Sequence, residues 1–284
     1  MSSIAAALLE ATKVLNQAGV PEARREAGSL LSFILGKDRT FLISHAEDQL
    51  GDDALRRFQE SVERRASGEP LQYITGVQDF FGREFLVTPD VLIPRPETEL
   101  LVEAALELID SESEPLICDV GTGSGCIAVT LLCELRTARA VAVDKSAAAL
   151  EVARLNARNH EVLDRVEFAE SDCFDALDST RHQFEMVVSN PPYVSAAMID
   201  GLQREVRDHE PIIALSPGGD GLSVIRRLVV EAPGFLTKNG QLIMEIGFDQ
   251  GEAVTRLIDE NVWRLVDIRP DLQGIPRIVI LTKK

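Results

Sequence analysis

A short turn after an apolar run combines residue types that can hold a planar amino group. Residues 184–189 predict a buried strand, and Asn190-Pro191-Pro192-Tyr193 follow it directly. The prolines restrict the backbone to extended conformations and leave main-chain carbonyls without sheet partners. The Asn190 side-chain oxygen and the Pro191 carbonyl can then accept both hydrogens of an NH2 group, with the Tyr193 ring against its face. The alternative is a proline-rich turn with a tyrosine in the core.

A second turn, rich in glycine, suits a ligand that approaches the backbone closely. Residues 116–120 predict a strand and residues from 126 onward a helix. Glycines between a strand and a helix N-terminus admit such a ligand. The pattern departs from the dinucleotide-binding sequence G-x-G-x-x-G because position 126 is a cysteine. The turn consists of Gly121, Thr122, Gly123, Ser124 and Gly125.

An acidic residue, Asp144, ends the next predicted strand. A carboxylate there is placed to hydrogen-bond two ribose hydroxyls, although nicotinamide and S-adenosylmethionine enzymes both use one. By itself it identifies a ribose and not which cofactor, and a strand-end turn residue is the alternative. Combined with a strand that ends in the Asn190 turn, it points to S-adenosylmethionine.

The elements that must position these turns alternate between strand and helix after residue 115. This alternation predicts a parallel sheet with helices on both faces. Only a loop rich in proline and glycine separates the last two strands, so they should pair antiparallel. The predicted strands cover residues 116–120, 140–144, 166–169, 184–189, 242–246, 264–268 and 278–281, and the main helices residues 147–159, 223–237 and 250–260.

The first 70 residues predict a small helical bundle, because their apolar residues recur at helical spacing. Extended pieces at 73–76 and 80–87 then predict a β-hairpin linker over 71–90, which leaves 91–284 as the sheet domain. One predicted helix carries a group of arginines outside its apolar stripe. That group is either a solvated face or a docking surface for an acidic or RNA-associated partner. Its members are Arg56, Arg57, Arg64 and Arg65.

Composition argues against several classes of function. The chain of 284 residues has a formal net charge of -17, which disfavours stable binding to nucleic acid. No apolar run reaches the length of a membrane span, and the amino terminus lacks a basic n-region. Its four cysteines lack metal-ligand spacing. We therefore expect a reduced, cytoplasmic protein that binds neither a metal nor a membrane.

The sequence resembles the glutamine N5-methyltransferases of class I peptide chain release factors, called PrmC or HemK. The resemblance extends from about residue 69 to the end, and the segment Pro94-Arg95-Pro96-Glu97-Thr98-Glu99 is its most discriminating part. The remaining motifs are Glu69-Pro70-Leu71-Gln72-Tyr73-Ile74-Thr75-Gly76, Asp119-Val120-Gly121-Thr122-Gly123-Ser124-Gly125, Ser189-Asn190-Pro191-Pro192-Tyr193-Val194 and Leu215-Ser216-Pro217-Gly218-Gly219-Asp220-Gly221-Leu222.

The resemblance implies a Rossmann-like class I methyltransferase domain, preceded by a bundle that docks the substrate protein. It implies transfer of the methyl group of S-adenosyl-L-methionine to the glutamine of a Gly-Gly-Gln loop, with S-adenosyl-L-homocysteine as product. The cofactor would contact the 121–125 turn, Asp144 and Asn190, and the glutamine would contact Asn190, Pro191, Pro192 and Tyr193. One departure is Cys173, because relatives can carry a tryptophan there, near the adenine.

The roles expected for the chemistry follow from the weakness of an amide nitrogen as a nucleophile. Asn190 and Pro191 would orient the NH2 group, and the Tyr193 ring would stabilise positive charge that develops on nitrogen. Two other functions fit the same residues. An adenine-N6 or cytosine-N4 nucleic-acid methyltransferase presents the same exocyclic NH2 geometry. The second is a non-catalytic, cofactor-binding regulator of translation.

Overall fold

The computed structural model describes residues 2–109 and 114–284, and its helices and strands are numbered here in chain order. The α-helices are α1 (Ile4–Gln17), α2 (Ala23–Leu35), α3 (Arg39–Ser44), α4 (Asp52–Ala66), α5 (Leu71–Thr75), α6 (Glu99–Leu108), α7 (Cys126–Glu134), α8 (Ala147–Asn159), α9 (Arg204–His209), α10 (Ile212–Leu215), α11 (Ser223–Phe235) and α12 (Gly251–Thr255). The strands are β1 (Val77–Phe80), β2 (Arg83–Leu86), β3 (Leu116–Val120), β4 (Arg139–Asp144), β5 (Val166–Glu170), β6 (Phe184–Ser189), β7 (Leu236–Glu245), β8 (Trp263–Pro270) and β9 (Pro276–Lys283).

The chain divides into two compact units. The helical unit comprises residues 1–77 together with Gln203–His209, and the sheet unit comprises 78–202 and 210–284. The helical unit is therefore discontinuous in sequence, because α9 belongs to it. The domain limits expected from the sequence, 1–70, 71–90 and 91–284, remain predictions.

The helical unit has its own apolar core, in which Leu15, Leu30, Leu31 and Phe58 are fully buried. Helix α3 begins with a side-chain cap, because Asp38 Oδ1 accepts the Phe41 N–H at 2.7 Å. Helix α1 begins in the same way, with the Ser3 side chain accepting the Ala6 N–H. No described helix of the chain has the length and apolar composition that would span a bilayer.

The sheet unit contains a seven-stranded sheet with the order β5-β4-β3-β6-β7-β9-β8. Strands β3 to β7 pair in parallel, while β9 pairs antiparallel with both β7 and β8. This confirms the expected α/β class and the antiparallel terminal strand. Because β3, β4, β6 and β7 run in parallel, their carboxyl ends lie at one edge of the sheet, which is where ligands bind in such folds.

Three stretches differ from the sequence expectation, one of them the helix expected over 250–260, which forms only as α12 and ends at Thr255. Leu71–Thr75 is helical and not extended, because Pro70 precedes its first turn and Gly76 closes it in the left-handed region at φ 79°. A hairpin does form, but its strands are β1 and β2, so its first strand follows the expected piece 73–76 and its second lies within the expected piece 80–87. Strand β7 begins at Leu236, six residues earlier than expected, because Leu236 is buried and pairs with Phe184. The polar residues that follow Leu236 hide this strand in the sequence.

The expectation that Arg65 lies outside the apolar stripe of α4 was wrong. Arg65 is seven residues after Phe58, so both side chains fall on one face of the helix, and Arg65 is only 4% exposed. Its guanidinium donates to Glu26 and Glu205, both within the helical unit. Pairing offsets the cost of burying the charge. Arg56 and Arg64 are exposed and form ion pairs with acidic residues of the same unit.

Candidate active site

A cavity of about 410 Å³ opens at the carboxyl edge of the sheet. It lies between the glycine turn, residues 121–125, and the Asn190 turn, residues 190–193. Two of the predicted site residues, Gly125 and Tyr193, do not line it. The predicted residues that do are Gly121, Thr122, Gly123, Ser124, Asp144, Asn190, Pro191 and Pro192.

The glycine turn is held by the backbone of the neighbouring strand. The N–H groups of Gly121 and Thr122 both donate to the Val143 carbonyl of β4, at 2.8 and 3.0 Å. Gly121, Gly123 and Gly125 all have positive φ, a conformation that favours glycine. At Gly125 a Cβ would also lie 3.1 Å from the Ala153 Cβ, so helix α8 packs directly against the turn. Helix α7 begins immediately after it.

The Asp144 carboxylate contributes to the shape of the turn. Its Oδ2 accepts the Gly123 N–H and its Oδ1 accepts the Ser146 N–H, each at 2.9 Å. Burial raises the pKa of Asp144, while these backbone donors lower it. A carboxylate oxygen can accept more than one hydrogen bond, so acceptor capacity remains on the side of the cavity. The sequence indicated a ligand contact for Asp144 but not this structural role.

A second carboxylate, Asp119, lies behind the turn and is completely buried. Its Oδ2 accepts the Thr122 hydroxyl at 2.7 Å and the Ala128 N–H at 3.2 Å. Its Oδ1 has no hydrogen-bond partner among the described residues. Burial is the main cause that raises the pKa of Asp119 to about 7. Sequence reasoning noted Asp119 as part of a motif but assigned it no role.

The Asn190 turn is tied to the glycine turn and to the segment before α6. The Ser189 hydroxyl donates to the Val120 carbonyl at 2.7 Å, which joins the ends of β6 and β3. Asn190 Nδ2 donates to Thr98 Oγ1 at 2.9 Å. No described residue donates a hydrogen bond to Asn190 Oδ1. The side chain therefore keeps its acceptor free at a site that lines the cavity.

A buried carboxylate connects Asn190 with Tyr193. Thr98 Oγ1 donates to Glu245 Oε2 at 2.7 Å, and the Tyr193 hydroxyl donates to Glu245 Oε1 at 3.1 Å. Burial raises the pKa of Glu245, while its two hydroxyl donors lower it. Burial, followed by the nearby Glu245, raises the pKa of Tyr193. Sequence reasoning missed Glu245, and it included Thr98 only within the discriminating motif.

The position of Tyr193 differs from the arrangement drawn from the sequence. Its ring packs on the core between the sheet and α11 and does not line the cavity. Gln250 Nε2 donates to its carbonyl oxygen at 2.9 Å. A Cβ on Gly221 would lie 2.2 Å from that same oxygen, so only glycine fits there. The structure thus fixes the backbone of Tyr193 from two sides.

Cys173 also lines the cavity, and its backbone φ is 53°. The next residue, Phe174, stacks on Phe235 with ring centroids 4.7 Å apart. Val224 is an aliphatic residue that lines the cavity. Among the described residues no group of histidine, cysteine and acidic side chains has the arrangement of a metal site.

The parallel sheet, the glycine turn and the cavity at the strand ends define a Rossmann-like methyltransferase. Two family models match the chain: the PrmC N-terminal domain over residues 6–76 and the methyltransferase small domain over residues 97–252. The catalytic domain of hMettl16, solved in complex with MAT2A 3'UTR hairpin 6, has a similar fold. Its TM-score is 0.57 at 15% identity, with 82% of each chain covered.

Among curated proteins, the release factor glutamine methyltransferase of Koribacter versatilis is 45% identical over 270 residues, 95% of each chain. The protein of the same name from Cereibacter sphaeroides is 43% identical over 273 residues, 96% of each chain. The chain belongs to the release factor glutamine methyltransferase family, and it is a methyltransferase.

Proposed function

We propose that this enzyme transfers the methyl group of S-adenosyl-L-methionine to the side-chain amide nitrogen, N5, of a glutamine. The substrate is the Gly-Gly-Gln loop of class I peptide chain release factors. The names of the relatives support the substrate class. The observation that carries the chemistry is Asn190, whose Nδ2 is engaged while its Oδ1 faces no donor among the described residues.

The residues around the cavity fit S-adenosyl-L-methionine. The glycine turn lets a ligand approach backbone at the N-terminus of α7, and Asp144 keeps acceptor capacity for ribose hydroxyls. Val224, and not an aromatic residue, is available to cover the adenine beside Cys173. When bound, the cofactor supplies an electrophilic methyl group on a sulfonium.

The protein's part in the reaction is to orient a poor nucleophile. Asn190 Oδ1 and the Pro191 carbonyl accept the two hydrogens of the glutamine NH2 group, which turns its lone pair toward the methyl group. These acceptors also stabilise the positive charge that the nitrogen gains. The methylated nitrogen then releases a proton to one of these acceptors or to water. Because Tyr193 does not line the cavity, we assign its hydroxyl to holding Glu245.

The direct test locates the transferred methyl group. Purified enzyme is incubated with a class I release factor and radiolabelled S-adenosyl-L-methionine, and the factor is analysed by mass spectrometry. We expect one methyl increment on the loop glutamine and none when that glutamine is replaced by alanine. Label on nucleic acid would favour a base methyltransferase. An absence of label on any substrate, with cofactor still bound, would favour a non-catalytic regulator.

We further propose that the helical unit provides binding energy beyond the glutamine loop, because a short loop offers little area against association entropy. Three large apolar side chains of this unit are exposed, and the two most exposed are Leu9 (60%) and Ile43 (72%), followed by Phe33 (45%). Truncation at residue 71 is a poor test, because it would leave Glu205 without Arg65. Substitutions in the full chain avoid this problem.

We expect Leu9→Ser with Ile43→Ser to raise the KM for the full-length factor about 5- to 20-fold, as for the loss of apolar anchors. The KM for a short peptide with the Gly-Gly-Gln sequence should not change. Val230→Ser, at a position 76% exposed on α11, is the matched control. An equal KM for the full-length factor in the wild type, the double variant and the control would refute a docking role for Leu9 and Ile43.

A further inference from the structure

Three hydrogen bonds run from the cavity into the protein interior, from Asn190 Nδ2 to Thr98 Oγ1, from Thr98 Oγ1 to Glu245 Oε2, and from Tyr193 Oη to Glu245 Oε1. Thr98 is 2% exposed and Glu245 1% exposed, so water does not compete for these contacts. We infer that Thr98 and Glu245 are positioning residues that fix which end of the Asn190 amide faces the substrate. This inference rests on the proposed methylation of a glutamine.

The direction of each hydrogen bond follows from the groups involved. When Glu245 is ionised, as its two hydroxyl donors and the nearby Arg277 favour, its two oxygens only accept, so the single proton of the Thr98 hydroxyl is donated to Glu245. Thr98 Oγ1 is then left as an acceptor toward Asn190. Only the NH2 end of an amide donates, so Nδ2 must face Thr98. Oδ1 consequently faces the cavity.

The opposite orientation would prevent the reaction as proposed. With Oδ1 turned inward, Asn190 would present its own NH2 group to the NH2 group of the glutamine, and two donors would meet. Both ends of an asparagine amide have nearly the same shape, so packing alone does not select between them. The hydrogen bonds of Glu245 select the orientation of the Asn190 amide, although the two residues are 55 positions apart in the sequence.

Glu245 also accepts a hydrogen bond from a second hydroxyl group, so the position of its carboxylate is fixed from two sides. Tyr193 Oη engages Oε1 while Thr98 Oγ1 engages Oε2, so each oxygen has one hydroxyl donor. Hydrogen bonds to an ionised carboxylate are stronger than those between neutral groups. Tyr193 thereby acts on Asn190 through Glu245 and Thr98.

The test compares two substitutions of similar size. Thr98→Val removes the hydroxyl and keeps the branched shape, whereas Thr98→Ser keeps the hydroxyl. We expect Thr98→Val to lower kcat for glutamine methylation about 10- to 100-fold, with the KM for S-adenosyl-L-methionine unchanged. The kcat of Thr98→Ser should instead stay within about threefold of the wild-type value. Thermal unfolding of both variants shows whether either has lost its fold.

A double-mutant cycle separates orientation of Asn190 from a general structural effect. If Thr98 acts through Asn190, Thr98→Val should have almost no effect on the residual turnover of an Asn190→Ala enzyme. Equal losses in both backgrounds, or full activity of Thr98→Val, would overturn the inference. Glu245→Gln is a second variant and should also lower kcat with the cofactor KM unchanged. A wild-type enzyme that methylates no glutamine would instead refute the proposed function.

Discussion

The glycine turn and the Asn190 turn follow neighbouring parallel strands, yet they are held in different ways. The glycine turn is fixed by backbone groups of β4 and by Asp144, which is 21 residues from Gly123. The Asn190 turn is fixed by side chains far away in sequence. Thr98 is 92 residues from Asn190, and Gln250 is 57 residues from Tyr193.

This difference separates binding from chemistry. A turn stabilised mainly by the backbone of the adjacent strand tolerates side-chain changes elsewhere in the protein, which suits a common cofactor. A turn stabilised by a remote side-chain network can be tuned for the orientation of one substrate group. We therefore expect substitutions near the glycine turn to change cofactor affinity or stability, and substitutions near the Asn190 turn to change turnover.

The largest effect should come from Asn190→Ala. Loss of one preorganised polar contact to a developing charge typically lowers turnover about 100- to 1000-fold. The glycine turn has its own supports, so the dissociation constant for S-adenosyl-L-methionine, measured by calorimetry, should stay within about threefold of the wild type. Turnover near that of the wild type would show that the Asn190 turn is not specialised for the chemical step.

The buried Asp119, which holds Thr122 of the glycine turn, should make the stability of the protein depend on pH. The folded-state pKa is raised to about 7 from an ordinary value of 3.8, so the folded protein retains a proton that the unfolded chain has lost. Stability is therefore lost as pH rises between these two values. Relative to Asp119→Asn, which cannot ionise, the wild type should lose about 2 to 3 kcal/mol of unfolding free energy between pH 5 and pH 8. Urea unfolding at both pH values measures this difference, and a constant difference would show that Asp119 titrates normally.

Asp144→Ala should act on cofactor affinity. Loss of a charge-assisted hydrogen bond, together with loss of the acceptor for the Gly123 N–H, should weaken binding of S-adenosyl-L-methionine by about 1.5 to 3 kcal/mol. Asp144→Asn keeps one oxygen acceptor and should lose less. Turnover at saturating cofactor should remain close to that of the wild type. Unchanged affinity by calorimetry would move the cofactor away from this carboxylate.

The smallest expected effect is a difference in stability between alanine variants of two glycines in the same loop. Gly219 and Gly221 both have positive φ, but only a Cβ at Gly221 meets another atom, the Tyr193 carbonyl oxygen at 2.2 Å. Both alanine variants carry the cost of the left-handed backbone, so their difference reports the collision. Gly221→Ala should be less stable than Gly219→Ala by about 1 to 3 kcal/mol in urea unfolding. Equal stabilities would show that the Asn190 turn moves freely.

Much of the fold could be predicted from the sequence because its signals are local. Apolar runs gave the strands of the sheet unit, and the short loop before β9 indicated its antiparallel pairing. The error at Leu71–Thr75 arose because Tyr73, Ile74 and Thr75 are β-prone residues, while the flanking Pro70 and Gly76 determine the helix. A charged residue such as Arg65 is buried only where it is paired, and its partner Glu205 lies 140 residues away, so the sequence near α4 gives no sign of this burial.

The site was predictable only in part, for a related reason. Glycines and an acidic residue at strand ends mark a cofactor turn within a short stretch of sequence. The contacts of Asn190 with Thr98, and of Thr98 with Glu245, depend on the order of strands in the sheet. Glu245 ends β7, so an acidic residue at the end of a buried strand was the signal that could have identified it.

Because Arg65 pairs with a residue much later in the chain, the helical unit cannot be completed early in synthesis. One of its partners, Glu26, precedes it, but Glu205 lies 140 residues later in the chain. At the usual pace of translation, about 5 to 20 residues per second, Glu205 is synthesised roughly 7 to 28 seconds after Arg65. During that interval α9 is missing from the helical unit. The first part of the protein to leave the ribosome is thus completed only after most of the sheet unit has been translated.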